Sequence, residues 1–152
     1  MDIINLLGFG TKGWGALILT GMALTLCVTL ASLAIGALIG AIVATAKLSD
    51  RWWSRVLGTA YTTVFRGVPE LLIIYLVYFG GSTAVTAIGQ AMGIEGFLGM
   101  PSFLAGALAV GLISGAYQAE VYRGAYRAIP KGEIEAAASI GMPPMRCLRR
   151  II

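Results

Sequence analysis

Four charged residues stand inside apolar stretches of this chain, and they are the residues best suited to bind a charged ligand. Arg66 and Glu70 lie four residues apart, and Glu120 and Arg123 lie three residues apart further along. Carboxylates form short, charge-assisted hydrogen bonds with guanidinium and ammonium groups, so Glu70 and Glu120 are suited to a cationic ligand. The same spacings let each acid pair with its neighbouring arginine, which makes an apolar helix insertable. The sequence leaves both interpretations open.

Other kinds of site find little support in the sequence. The chain has no histidine, and its two cysteines, Cys27 and Cys147, lie in a predicted membrane helix and in the terminal polar segment, which favours neither a metal site nor a disulfide. It also has no Gly-rich segment ending in Gly-Lys-Ser/Thr, the motif that cradles the phosphates of ATP. We therefore expect no cofactor or metal in this chain and no enzymatic activity of its own.

The composition is that of a membrane protein. Of the 152 residues, 58% are hydrophobic and only 12% are charged, against about 25% charged residues in soluble domains. The mean hydropathy is +0.85. The eleven lysines and arginines cluster beside apolar runs, where they set topology, so we expect a lipid bilayer and no nucleic acid as the partner of these charges.

Three apolar runs predict three membrane-spanning helices, since about 20 residues suffice to cross the hydrocarbon core. We place the first span at about 14–46, the second at about 55–80 and the third at about 102–127. An alternative second span, 71–94, is possible because those residues are uncharged, but the sequence Gly80-Gly81-Ser82-Thr83 is typical of a helix end and favours the earlier register.

The second span, placed in this way, contains a predicted hinge. Pro69 cannot donate a backbone hydrogen bond and clashes with the carbonyl of Phe65, while Gly67 relaxes the backbone beside it. Arg66 and Glu70 flank this hinge, and a charge at the bilayer centre costs about 2.5–3.5 kcal/mol on insertion scales. We therefore expect a kink or break there, with both charges facing a protein-lined or hydrated space.

Two stripes of small residues recur at every fourth position. Such stripes let helix backbones approach closely. The two are candidates to contact each other, although the sequence does not pair them. They comprise Ser32, Gly36, Gly40 and Ala44 in the first span, and Ala107, Gly111, Gly115 and Ala119 in the third.

Loop charges predict the orientation. One lysine or arginine precedes the first span, three follow it, none follows the second and six follow the third. Because cytoplasmic loops carry the excess of basic residues, this alternation places the N-terminus outside and the segment at about 128–152 in the cytoplasm.

This terminal segment predicts a helix-turn-helix. Pro130 suits a helix start, Gly141 suits the position just past a helix end, and Pro143 and Pro144 permit a second helix. A generic amphipathic surface helix is the alternative. The sequence Glu135-Ala136-Ala137, with Gly141 six residues after the glutamate and Ile151 ten residues beyond the glycine, resembles the EAA loop of permease subunits of ABC importers.

The resemblance extends over the chain from about Trp14 to Ile152. The segments 61–70 and 115–125 are similar to those of polar amino-acid importers of the histidine, arginine, octopine or nopaline type. The resemblance implies a multi-pass permease of the bacterial inner membrane that imports a basic amino acid or an opine by alternating access. It also implies a second homologous permease, a periplasmic substrate-binding protein and a cytoplasmic ATPase homodimer that holds the ATP and Mg.

The resemblance also implies roles for individual residues. Coupling to the ATPase falls to Gly132, Glu135, Ala136, Ala137 and Gly141. The candidates for the substrate path are Arg66, Glu70, Tyr117 and Glu120, although Tyr117 can equally be a packing residue. The hinge residues are Gly67 and Pro69.

The sequence departs from the family pattern at its end. The family loop continues with Leu-Pro and two further helices of a five-helix fold, whereas this sequence stops at Ile152. We therefore expect an amino-terminal portion of a permease that lacks the C-terminal helices and does not transport alone.

Two functions of other classes stay open at this point. An ion-coupled secondary carrier would use Arg66, Glu70 and Glu120 and would transport without an ATPase. A non-transporting membrane scaffold would use its charges for structure and its polar tail to recruit a soluble protein.

Overall fold

The computed structural model describes residues 13–94 and 96–151, and the regular elements within these residues are all helices. The helices are α1 (Gly15–Leu48), α2 (Trp52–Gly67), α3 (Glu70–Ala91), α4 (Ser102–Ala128), α5 (Lys131–Ser139) and α6 (Pro144–Arg150). A π-helical turn, Leu76–Gly80, interrupts α3.

Three of these helices, α1, α3 and α4, are long and apolar enough to cross a membrane. Their number confirms the expectation of three spans, and α1 and α4 lie close to the predicted ranges. Large apolar side chains on α1 are exposed, with Leu17 at 66%, Leu30 at 66% and Leu38 at 69%. A lipid-facing helix presents this kind of surface because hydrocarbon, unlike water, accepts apolar side chains.

The predicted range of the second span, about 55–80, is wrong. The helix breaks at Val68, which is extended (φ −93°, ψ 139°), because a residue before proline is disfavoured in the helical region. Pro69 precedes the first residue of α3, and the apolar helix of spanning length runs from there to Ala91. The break expected at Gly67 and Pro69 is therefore present.

The predicted helix end at Gly80-Gly81-Ser82-Thr83 is also wrong. Gly80 (φ −66°, ψ −41°) and Gly81 (φ −62°, ψ −45°) are helical. The Ser82 and Thr83 hydroxyls donate to the carbonyls of Tyr78 and Phe79, one turn earlier, at 2.7 Å and 2.8 Å. In an apolar setting a continuous helix satisfies every backbone group internally, and this outweighs the tendency of these residues to form turns in water.

The two small-residue stripes pack against each other, and all eight of their residues are buried. A Cβ atom at Gly40 would lie 2.9 Å from Cβ of Gln118, and one at Gly111 would lie 2.8 Å from Cγ2 of Ile35. Residue numbers rise together along this contact, from Ser32 beside Gly111 to Gly40 beside Ala119. The helices α1 and α4 are therefore parallel.

The far end of α3 lies beside the start of α4. The backbone N–H of Met100 donates to the Ser82 hydroxyl at 3.1 Å, and that of Leu98 donates to the Thr86 hydroxyl at 3.1 Å. The link before α4 is thereby fixed to α3. As a result, α3 returns the chain to the end of the bundle at which α4 begins.

Candidate functional site

Two charges flank the break between α2 and α3, and an aromatic ring lies against one of them. Arg66 lies in the last turn of α2 and Glu70 in the first turn of α3, and both are exposed. Across from Arg66 lies Tyr117 of α4, which is 45% exposed. The guanidinium carbon of Arg66 lies 5.3 Å from the centroid of that ring, which is within the range of a cation–π contact.

Arg66 and Glu70 do not form the ion pair that their spacing allows. In the part of the chain that the structure describes, the ion pairs are Lys47 with Glu120 and Arg123 with Glu120. A pair four residues apart faces the same side only when the helix between its members is continuous. The extended Val68 removes that continuity, so the Glu70 carboxylate lies at the break without an arginine partner from α2.

Glu120, by contrast, is paired. The Arg123 Nε donates to Glu120 Oε2 at 2.9 Å, and the Lys47 ammonium donates to Oε1. Both carboxylate oxygens are thus engaged by cations, and the side chain is only 19% exposed. Glu120 and Arg123 therefore pair with each other, as their spacing allows. The role of Glu120 in a substrate path stays a prediction.

Lys47 has a structural place that the sequence did not reveal. The count of loop charges placed Lys47 in the basic link after the first span, yet its side chain is only 9% exposed. It passes over Gly58, where a Cβ atom would lie 2.6 Å from Lys47 Cγ, and its ammonium also donates to the Thr62 hydroxyl at 2.8 Å. In the sequence, the signal for this contact is the spacing of Gly58 and Thr62, one turn apart on α2, where a small residue leaves space for the lysine stem and a hydroxyl accepts from its ammonium.

Tyr61 is a second residue that sequence reasoning missed. Its hydroxyl donates to the backbone carbonyl of Leu112 at 2.6 Å. A Cβ atom at Gly115 would lie 3.2 Å from the same hydroxyl, so the small residue makes room for the tyrosine. This contact fixes α2 on α4 beside the break.

The terminal segment forms the predicted helix-turn-helix. Gly141 has φ +70°, and its N–H donates to the carbonyl of Ala138 while that of Met142 donates to Ala137, both at 3.0 Å. This pair of bonds is the Schellman motif, in which glycine best tolerates the left-handed conformation. Pro144 then occupies the first turn of α6.

The candidate coupling residues divide between the surface and the interior of this segment. Gly132, Glu135, Ala136 and Gly141 are exposed, whereas Ala137 is only 3% exposed. Ala137 differs in exposure from its neighbour Ala136 because adjacent helical residues point about 100° apart. Ala137 faces inward.

Comparisons with known proteins identify the family. Residues 36–152 match the family described as the binding-protein-dependent transport system inner membrane component. The chain belongs to this family. The resemblance inferred from the motifs is thereby confirmed, as is the assignment to the inner membrane.

Several relatives of this family cover the whole chain or most of it. The octopine transport system permease protein OccQ of Rhizobium meliloti is 44% identical over the whole chain. The nopaline transport system permease protein NocQ of Agrobacterium fabrum is 47% identical, also over the whole chain. The histidine/lysine/arginine/ornithine transport system permease protein HisQ of Escherichia coli is 38% identical over 92% of the chain.

The chain spans 64% of the length of the octopine and nopaline relatives and 61% of that of HisQ. A crystal structure of an amino acid ABC transporter with histidines is 31% identical and has a TM-score of 0.69. The match covers 91% of this chain and 59% of that one. The fold of this chain is therefore similar to part of that amino acid ABC transporter.

Proposed function

We propose that the chain is part of a permease subunit that imports a basic amino acid or an opine across the bacterial cytoplasmic membrane. The observation that carries the proposal is the broken helix at Gly67–Pro69, with Arg66 and Glu70 on either side and the Tyr117 ring against Arg66. Transporters often build substrate sites where a membrane helix is interrupted, because the interruption leaves polar groups facing a cavity.

The chemistry of this site favours a cationic substrate. The Tyr117 ring accepts the guanidinium of Arg66 on its face, so a substrate guanidinium or ammonium fits the same kind of contact. Glu70 supplies a carboxylate for a charge-assisted hydrogen bond. The names of the relatives, which cite octopine, nopaline and histidine/lysine/arginine/ornithine transport, support the same class.

The proposed orientation places the N-terminus outside. Because α1 and α4 are parallel, the basic link after α1 lies at the same end of the bundle as α5 and α6. That end carries most of the lysines and arginines, and it is therefore proposed to face the cytoplasm.

In this orientation α5 and α6 form the contact with a separate ATPase homodimer. The exposed residues Gly132, Glu135, Ala136 and Gly141 face that partner, and the buried Ala137 supports them from behind. ATP and Mg bind the ATPase, and this chain performs no hydrolysis. A second homologous permease and a periplasmic binding protein complete the assembly, and the transport cycle is alternating access with the hinge at Gly67 and Pro69.

The first test is import of labelled arginine into vesicles that contain the whole assembly. We expect uptake that needs both ATP and the ATPase. Import that proceeds without an ATPase would contradict the proposal and favour an ion-coupled carrier. Binding of the ATPase without any uptake would favour a scaffold.

The substitution Glu70→Gln tests the site itself. The amide keeps the shape of the side chain but loses its charge, and a hydrogen bond to a charged group contributes about 1.5–3 kcal/mol. We expect the KM for arginine import to rise roughly 10- to 100-fold. The matched control Glu70→Asp keeps the charge and should stay closer to the parent. An unchanged KM for Glu70→Gln would show that Glu70 does not contact the substrate.

A further inference from the structure

Three helices meet at one cluster of charges near the end of the bundle that carries α5. Lys47 of α1 donates to the Thr62 hydroxyl of α2 at 2.8 Å and to Glu120 of α4. Arg123 of α4 donates to the other oxygen of Glu120 at 2.9 Å. A single ammonium group therefore contacts both of the other helices.

The cluster is well shielded from solvent. The Lys47 side chain is 9% exposed, Glu120 is 19% exposed and Thr62 is buried at 3%. A buried charge is tolerated only when partners of opposite charge or good hydrogen-bonding groups surround it. Separation of α2 from α1 and α4 would leave Lys47 without one of its two partners, so the cluster holds the three helices in one arrangement.

Other contacts reinforce the same arrangement. Tyr61 of α2 donates to the Leu112 carbonyl of α4, and the small-residue stripes join α1 to α4. The connection from α2 to α3 is different in kind, because it runs through the extended Val68 and Pro69. Packed elements tend to move as rigid bodies about such short, irregular connections.

The cluster residues lie on helices that lead to both parts of the chain with a proposed role, the coupling helix α5 and the hinge at Gly67 and Pro69. Glu120 and Arg123 lie in the last turns of α4, which leads through Ile129 and Pro130 into α5. Thr62 lies in the second half of α2, which ends at the break. The cluster thus lies between the coupling segment and the hinge.

We propose that Lys47 is a positioning residue that joins α1, α2 and α4 into one rigid body, so that a displacement of α5 reaches the break at Gly67–Pro69. This inference rests on the proposed function, in which α5 contacts the ATPase. Lys47 itself does not touch the substrate. Its loss therefore affects the coupling of ATP hydrolysis to import.

The decisive comparison is Lys47→Met against Lys47→Arg in the whole assembly, reconstituted in proteoliposomes. Methionine keeps an unbranched stem over Gly58 but has no charge, and arginine keeps the charge and can still donate to Thr62 and Glu120. For Lys47→Met we expect the number of arginine molecules imported per ATP to fall about tenfold, with the rate of ATP hydrolysis within about twofold of the parent. Lys47→Arg should keep most of the parental ratio.

Spin labels provide a second readout that does not depend on transport. Thr63→Cys on α2 and Val121→Cys on α4 introduce exposed label sites, with Cys27 and Cys147 replaced by serine. We expect a narrow distribution of distances in the parent and a broader one with Lys47→Met. If Lys47→Met does not insert, Thr62→Val removes the α2 half of the contact at similar volume, and the same broadening is expected.

Two outcomes overturn the inference on Lys47, and a third contradicts the proposed function. An unchanged import ratio in the Lys47→Met assembly overturns the inference, whatever the label distances. Unchanged label distances also overturn it, since they show that Lys47 does not join the helices. A parent assembly that imports nothing with ATP contradicts the proposed function, and the label distances then decide whether the three helices form one body.

Discussion

At the scale of single residues, the absence of a side chain is what lets α1 and α4 approach. A Cβ atom at Gly40 would lie 3.2 Å from the backbone nitrogen of Ala119 and 3.2 Å from the carbonyl oxygen of Gly115. Backbone atoms cannot move aside as the end of a flexible side chain can. The tolerance for substitution therefore differs sharply among the glycines of α1.

The substitution Gly40→Ala should destabilise the bundle. The added methyl group meets the backbone of α4, and overpacking of this kind typically costs about 1–3 kcal/mol. Gly21→Ala is the matched control in the same helix, because nothing lies within 4 Å of its new Cβ atom. It should be neutral or slightly stabilising. Unfolding of both variants in mixed micelles by increasing SDS measures the difference, and equal midpoints would contradict the close contact.

Sequence reasoning was sound where the determining interaction is local. Apolar runs delimited α1 and α4, and the spacing of Gly141 and the prolines predicted the turn between α5 and α6. The cluster around Lys47 was not predictable in this way, since Lys47 and Glu120 lie 73 residues apart. A lysine beside an apolar run has the same local pattern whether it faces water or a buried carboxylate.

At the scale of elements, the setting of a helix decides how its residues behave. Gly80 and Gly81 would favour a turn in water, but in α3 they are helical, and this difference explains the wrong second span. Pro69, in contrast, does interrupt the helix, because the steric effect of proline on the preceding residue operates in any solvent. The position of the break could therefore be predicted, whereas the extent of the helix after it could not.

The turn between α5 and α6 should depend on Gly141. Its φ of +70° is strained for a residue with a Cβ atom, so Gly141→Ala should destabilise the turn by about 1–2 kcal/mol. Hydrogen exchange at the backbone amides of positions 141 and 142 should then become faster by roughly tenfold. Gly132→Ala, in the first turn of α5 with open space around it, should leave these rates unchanged. Slow exchange in both variants would argue against the Schellman motif.

At the scale of the whole molecule, two parallel helices require that the chain crosses back between them. The end of α1 and the start of α5 therefore share one side, and the link around residue 97 lies at the opposite end of the bundle. This arrangement of the two ends is the same whichever side is the cytoplasm. The charge count supplies the choice of side.

Labelling with a membrane-impermeant maleimide tests that choice. With Cys27 replaced by serine, Cys147 of α6 should react in inside-out vesicles and not in right-side-out ones. A second variant with Phe97→Cys in the link before α4, and with Cys147 also replaced by serine, should show the reverse, since Phe97 is 75% exposed. Reaction of both positions from the same side would contradict the three-span topology.

The π-helical turn in α3 has a consequence for how the sequence of this helix can vary. A π-turn accommodates one residue more than an α-helical turn of the same rise. Deletion of one residue between Leu76 and Gly80 would convert the turn to regular α-helix and leave the faces before and after it in nearly the same relation. Ser82 would still meet Met100 and Glu70 would still lie at the break, so we expect the fold to tolerate a deletion of one residue at this position.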